Sequence, residues 1–336
     1  MVRLRQRVRA GVCQNLSELI EIQKKPSGQE VRDRLSHPVQ TGNIQQLAEC
    51  WEVTDISILV NKKINISELS TLPARIRGGW GEKLTCFASN SARENGLCNW
   101  NSASALSILF SENGTMDKGL QIPRPYVVEI FPFVETEQIL INLRLFGFAG
   151  IWAGEASAAM RYLLQDGLEW SAGKDREKAE IIDMSIIRHG AETLPDKEQK
   201  RIMNSAFLKF ITPLSLRRQG AVTADVTALL LSLVNRIKGL ARWHDIDLVI
   251  DRRLLKGLAR NLHYDSRDMR GEGWFRFSNR QKRKIPMEGL SGTLIIEGDL
   301  FPFIPYLWLG QDSFVGSHTA SGMGRYHLEL VGAVLD

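Results

Sequence analysis

Apolar and polar positions alternate most clearly from Asp55 onward, where Ile56, Ile58 and Val60 share one side of a short run and predict a strand. Similar runs predict strands over 126–131 and 139–145, and the Ala-rich stretch 155–164 predicts a helix. Over 72–84, Gly78, Gly79 and Gly81 crowd the start of another helix; they suit tight packing, or close approach of a ligand to the backbone. In the second half the segment 207–220 reads as a strand ending in Arg217 and Arg218. A stripe of Val226, Leu229, Leu230, Leu233, Ile237 and Leu240 predicts an amphipathic helix over 224–243. Strands over 274–278, 292–297 and 326–330, with a short helix over 302–309, complete the pattern. The order strand, helix, strand, strand, helix, strand is that of a ferredoxin-like unit. The expectation is an α+β protein: tandem ferredoxin-like (RRM-like) domains with antiparallel sheets, at 52–200 and 201–336.

Two stretches do not fit that rhythm. Residues 172–199 are charged, contain Pro195 and show no sustained apolar period, so they read as a connector with the boundary near 198–204. Residues 1–51 read as a basic, helical extension. Arg3, Arg5, Arg7 and Arg9 alternate with mostly apolar residues, and helical composition at 15–23 and 43–50 is separated by Pro26, Ser27 and Gly28.

Composition narrows the class only slightly. Of 336 residues, 43% are apolar and 24% charged, as in a folded globular protein, and the net charge of +5 permits a polyanionic partner without requiring one. Its distribution is more telling: between Arg252 and Lys284 there are eleven Lys or Arg against three Asp or Glu. Trp274, Phe275 and Phe277 lie in that segment, so phosphate attraction and base stacking are both available. A charge run alone equally suits a solvated face. Cys13, Cys50, Cys86 and Cys98 show no paired spacing for zinc and read as reduced thiols of a cytoplasmic protein. No apolar run of about 18 residues predicts a membrane span, and the Arg-rich start leads into no signal-peptide core.

The end of the chain carries the most specific pattern. GDLFPFIPYLWLGQDSFVGSHTASGMGRYHLEL, from Gly298 to Leu330, resembles the C-terminal domain of the CRISPR repeat-RNA endoribonucleases of the RAMP superfamily. In these a Pro/Leu/Gly-ended helix precedes a glycine-rich loop and a last strand. Four upstream segments fit the same family in the same order: LPARIRGGWGEKL, LRLFGFAGIW, FITPLSLRRQG and RFSNRQKRKIPMEGLSG. Together they span roughly residues 72–330. A dinucleotide fingerprint is a poor account of Gly316, Gly322 and Gly324, because only a strand's length of chain follows them, with no helix.

The resemblance implies two ferredoxin-like domains, a bound CRISPR repeat RNA or guide RNA, and metal-independent cleavage that leaves a cyclic phosphate, with no cofactor. The expected RNA contacts are Arg217, Arg218, Arg276, Arg280, Lys282, Arg283, Lys284 and, in the loop, Gly316, Ser317, Thr319, Gly322, Gly324 and Arg325. Such cleavage needs a base for the ribose 2′-hydroxyl and an acid for the leaving oxygen, tasks that suit His and Tyr. Family enzymes commonly place a histidine near the first helix of the N-terminal domain, and here 77–84 contains none. The candidates are His318, one place after the position where family loops often carry Lys, and His263 with Tyr264. His37 could fold back towards the RNA, whereas His189, His244 and His327 read as structural or surface residues. The missing first-helix histidine favours a second reading, a non-cleaving RAMP subunit that holds guide RNA among the other subunits of a CRISPR effector complex. A third is a basic nucleic-acid-binding protein outside CRISPR biology.

Overall fold

The computed structural model describes residues 25–116, 119–191, 194–196, 200, 202–278 and 283–332. Its first helix, α1 (Gly28–Ser36), begins where the sequence suggests a break. The Ser27 side chain accepts from the Glu30 N–H and the Glu30 carboxylate accepts from the Ser27 N–H. This capping box turns the Ser-Gly pair into a helix start. After β1 (Gln40–Gly42), a second box formed by Asn43 and Gln46 opens α2 (Ile44–Glu49), inside the predicted 43–50. β1 pairs in parallel with Ile246–Leu248, and Arg34 grips Asp245 through its guanidinium. Residues 25–50 are thus docked on the second half of the chain. The predicted helix over 15–23 and Arg3, Arg5, Arg7 and Arg9 lie outside the described residues, as does Cys13; Cys50, Cys86 and Cys98 are free thiols.

The first sheet unit runs β2 (Glu52–Asn61), α3 (Leu72–Leu84), α4 (Asn90–Asn95), α5 (Ala105–Phe110), β3 (Tyr126–Phe133), β4 (Gln138–Phe146), α6 (Ala153–Asp166) and β5 (Glu180–Gly190). The strands pair antiparallel in the order β3-β4-β2-β5, so the first strand lies between the third and fourth. That is the ferredoxin-like arrangement. Ile56, Ile58 and Val60 are buried in its core as the alternation predicts. Trp80 of α3 donates its indole N–H to Ala156 O of α6. Gly79 and Gly81 serve packing: a Cβ at either would lie 2.5 Å from Leu163 of α6 or Phe110. The connector expected at 172–199 instead contains β5. This edge strand is largely exposed and has an irregular register opposite Leu59 and Val60, so its apolar residues never form the clean alternation that marks a strand.

The second unit runs β6 (Met203–Leu214), β7 (Arg217–Arg218), β8 (Ala221–Val222), α7 (Val226–Ala241), β9 (Ile246–Leu248), α8 (Arg252–Arg260), β10 (His263–Asp265), β11 (Arg270–Ser278), β12 (Arg283–Glu297), α9 (Ile304–Ser313) and β13 (Tyr326–Gly332). Its order is β10-β12-β6-β13, with β11 also on β12, which repeats the arrangement of the first sheet. The predicted 292–297 is only the part of β12 inside the sheet. From Gly289 back to Arg283 the strand pairs with β11 beyond the end of β6, forming a two-stranded arm. Among the described residues no helix is long and apolar enough to cross a membrane.

Candidate nucleic-acid interface

The glycine-rich loop fills the gap between α9 and β13 and touches both units. Gly316, Gly322 and Gly324 all have positive φ, as does His318 at 61°. A Cβ at Gly324 would lie 1.8 Å from Val315 O, one at Gly322 2.4 Å from Pro73 Cβ in the first turn of α3, and one at Gly316 2.5 Å from Ser215 O. The glycines are therefore required by close packing of the loop on its own unit and on α3. Most backbone donors of the loop are turned inward. Ser317 N donates to Ser215 O, Gly324 N to Pro213 O and Gly322 N to Thr319 O. Thr319 is buried, and Ser317 and His318 form the exposed part. The short turn Thr319–Ser321 lies against α3 and β3.

The same end of β6 carries the other basic elements. Leu214 pairs with Leu290 where the β11–β12 arm leaves the sheet, and Gly289 of the arm packs against Pro213 and Leu214. Arg217 on the β7–β8 hairpin donates to Glu288 of the arm at 2.5 Å, and Arg218 to Asp225 at 2.8 Å. Phe275 on the arm is 69% exposed. Arg276, Arg283 and Lys284 belong to the arm's strands by backbone, and Arg280 and Lys282 lie outside the described residues. The loop, the hairpin and the arm thus converge on one end of the molecule.

His263 and Tyr264 do not join them. Both are exposed on β10, where His263 stands opposite Glu297, itself opposite Ser205 at the far end of β6. Ser205 to Pro213 spans about 26 Å of strand. His318 and the His263–Tyr264 pair cannot act on one phosphate together. His37 is the exposed C-cap of α1 and His327 is exposed on β13. The His244 ring stacks on Trp51 and accepts from Glu52 N–H through Nε2, with Nδ1 facing Leu240 O. Burial pushes its pKa down.

Arg325 points away from solvent. Its guanidinium lies over the Phe131 ring at 4.2 Å, donates to Ile130 O at 3.3 Å and pairs with Glu129 at 3.4 Å, all in β3. Behind it is a charged network on the face of the first sheet. Arg144, 2% exposed, makes a bidentate pair with Asp55, meets Asp312 of α9 at 2.6 Å and lies 3.7 Å from Glu129. His189 Nε2 is 3.0 Å from Asp55 and Nδ1 3.0 Å from Gly190 O. Both partners are acceptors, so the two contacts favour the protonated ring over the neutral one. The hydrogen bond to Asp55 raises the His189 pKa, against an opposing effect of burial. Burial opposes ionisation of Asp55, but Arg144 and His189 outweigh it and hold the carboxyl far below its usual range. A lone arginine in the apolar run ILINLRLF, and an aspartate in EVTDISILV, are the signals by which the sequence announces this network. Among the described residues no group of three or more His, Cys, Asp or Glu is placed to hold a metal ion.

Comparison with known proteins places the convergent end in context. A sequence model of the family described as CRISPR-associated endoribonuclease Cas6 matches residues 208–326, from β6 to the start of β13. No curated protein matches the chain. Among solved structures, a Cas6 product complex is 14% identical, with 83% of this chain and 99% of that one covered and a TM-score of 0.47. A Thermus thermophilus Cas6 is 12% identical over 83% and 98% of the two chains, with a TM-score of 0.44. The product of a Cas6-related gene from Pyrococcus furiosus is 11% identical over 83% and 98%, also at 0.44.

Proposed function

We propose that this chain is a member of the Cas6/RAMP superfamily of CRISPR endoribonucleases, whose sequence model matches residues 208–326, and that it binds CRISPR repeat RNA at the convergent end of β6 and cleaves it there. The ribose 2′-hydroxyl attacks the adjacent phosphorus, the bond to the 5′-oxygen breaks, and the upstream product keeps a 2′,3′-cyclic phosphate. His318 is the candidate base or acid, because an imidazole can take up or give up a proton near neutral pH. The observation that carries this reading is the position of the loop. It presents His318 to solvent while its next residues rest on α3, the helix where this chain lacks the histidine that related enzymes commonly carry. A second-unit loop thus supplies an imidazole beside a first-unit helix.

Arg217 and Arg218, paired with Glu288 and Asp225, share that end of β6 with the arm, and Phe275 offers a face for an unstacked base. Ser317 and Thr319 flank the imidazole, and Gly316, Gly322 and Gly324 act by seating the loop. Arg325 holds the loop against β3. The domains 52–200 and 201–336 divide this work, with the RNA lying mainly along the second.

The alternative, a guide-RNA-holding subunit without cleavage, draws support from the separation of His318 from His263 and Tyr264, which leaves one imidazole at the convergent end. A repeat RNA carrying a single 2′-deoxy at the cleavage site distinguishes them. Cleavage in EDTA of the all-ribose RNA, with the deoxy RNA bound but intact, is the expected result. Equal cleavage of both overturns the 2′-hydroxyl mechanism, and cleavage of neither leaves the binding subunit.

A further inference from the structure

Arg236, on α7, is half-buried, and its guanidinium has no counter-charge among the described residues. Its Nε donates to Ser313 O, the last carbonyl of α9, at 2.6 Å, while Nη2 is buried and meets no acceptor. Arg75 and Arg242 also have one bare nitrogen, but each holds a carboxylate elsewhere, Glu68 and Asp247. Capping a helix C-terminus accounts for Nε, because the carbonyls there carry partial negative charge. It does not account for Nη2. A buried charged donor left unmade costs more than a neutral one. Burial alone pushes the Arg236 pKa down to about 9, a direction that a bound anion would reverse.

Arg236 lines a cleft of about 160 Å³ together with Met116, Gln121, Ser232, Asn235 and Gly316. The amide and hydroxyl groups of Gln121, Ser232 and Asn235 can all donate, and none of the described lining residues is acidic. Gly316 is the first residue of the loop, and His318 follows two residues later, at most about 8 Å away along the backbone.

We propose that this cleft is an anion site whose ligand is a phosphate group, held by the Arg236 guanidinium and the neutral donors around it. The phosphate comes from a phosphodiester of bound RNA or from free phosphate, and only the first source rests on the RNA-binding reading above. In the first case the site anchors the strand beside His318.

Two measurements on the full chain test this. The first uses no RNA: thermal unfolding in inorganic phosphate against chloride at equal ionic strength. The wild-type midpoint should rise with phosphate and saturate, and Arg236→Gln should lose the saturable part. The second follows binding of an uncleavable 2′-deoxy repeat RNA against salt. If the phosphate belongs to RNA, Arg236→Gln should reduce the slope of log K on log salt by about 0.7. An unchanged slope with a surviving phosphate response assigns the cleft to free phosphate. If Arg236→Gln fails to fold, Asn235→Asp supplies an internal carboxylate. It should be at least as stable as wild type in chloride and unresponsive to phosphate; a retained response contradicts the proposal. Asp117 follows Met116 in the chain and lies outside the described residues, so Asp117→Asn is included. A phosphate response that appears only in this variant makes Asp117 the partner and overturns the proposal. So does a wild-type midpoint indifferent to phosphate together with an unchanged slope. Failure to bind RNA at all would count against the function and leave the first measurement intact.

Discussion

Arg144 of the first unit donates from Nη1 to Asp312 of the second at 2.6 Å, while the rest of its guanidinium is held by Asp55. Three carboxylates, Asp55, Glu129 and Asp312, face the guanidinium groups of Arg144 and Arg325 and the His189 ring. This buried balance joins the sheet of one unit to the helix and loop of the other. Removing Arg144 takes away the one group that Asp55, Glu129 and Asp312 share, leaving Asp55 to His189 and Glu129 to Arg325. Arg144→Leu is expected to destabilise the protein by about 3–5 kcal/mol, read as a fall in the denaturant midpoint, with a loss confined to a few tenths counting against the network.

The same network predicts a pH dependence. The His189 pKa is raised by Asp55, so its stabilisation is fully present below the unfolded value of about 6.5 and is lost as pH rises through the raised folded value. The Asp55 pKa is depressed, so its contribution is present above about 3.9 and lost only in strong acid. The thermal midpoint should therefore be highest between these limits and fall as the pH rises above about 6.5. His189→Gln should flatten the alkaline fall; an identical profile in that variant would remove His189 from the account.

Glycines that the sequence cannot rank are separated by the structure. Gly78 has open space where a Cβ would stand and lies inside α3, so Gly78→Ala should stabilise by about 0.5–1 kcal/mol. Gly324 has φ of 77° and no room, so Gly324→Ala should cost at least about 1–2 kcal/mol from backbone strain alone, with the clash on Val315 O in addition. Chemical denaturation of the two variants, side by side, checks both signs.

For RNA binding, the arm and hairpin make separable predictions. Phe275→Ala should lose about 1–3 kcal/mol of affinity if a base stacks there, with little change in salt dependence. Arg217→Gln should weaken binding and shallow the salt slope. Equal affinities for wild type and both variants in a filter-binding titration would mean that this end of the molecule is a solvated face.

The sequence made much of this legible, and the exceptions have physical causes. β2 and the two principal helices are buried mainly on one face, so burial writes their period into the residues, whereas β3 and β4 are buried on both faces and read as near-continuous apolar runs. The edge strand β5 buries little, and β11–β12 leaves the sheet, so neither carries a clean alternation. Ser27 looks like a breaker because a cap and a turn use the same residue types. At the site, the glycine loop is visible in the sequence, but its role differs from that of an exposed anion cradle. Its N–H groups are largely satisfied by Ser215, Pro213 and Thr319, which only the packing of two units can reveal. Arg325 looks like an RNA contact beside the glycines and proves to be turned onto Phe131 and Glu129. The separation of His263 from His318 depends on strand register, which no spacing along the chain encodes.

The most direct test of the central claim is the single-turnover cleavage rate of repeat RNA in EDTA, compared between wild type, His318→Ala and His263→Ala. Wild type should give a cyclic-phosphate product, His318→Ala should fall by about 10²–10⁴-fold with RNA affinity kept, and His263→Ala should keep a near-normal rate. A wild-type rate in His318→Ala, or cleavage that requires magnesium, would contradict it.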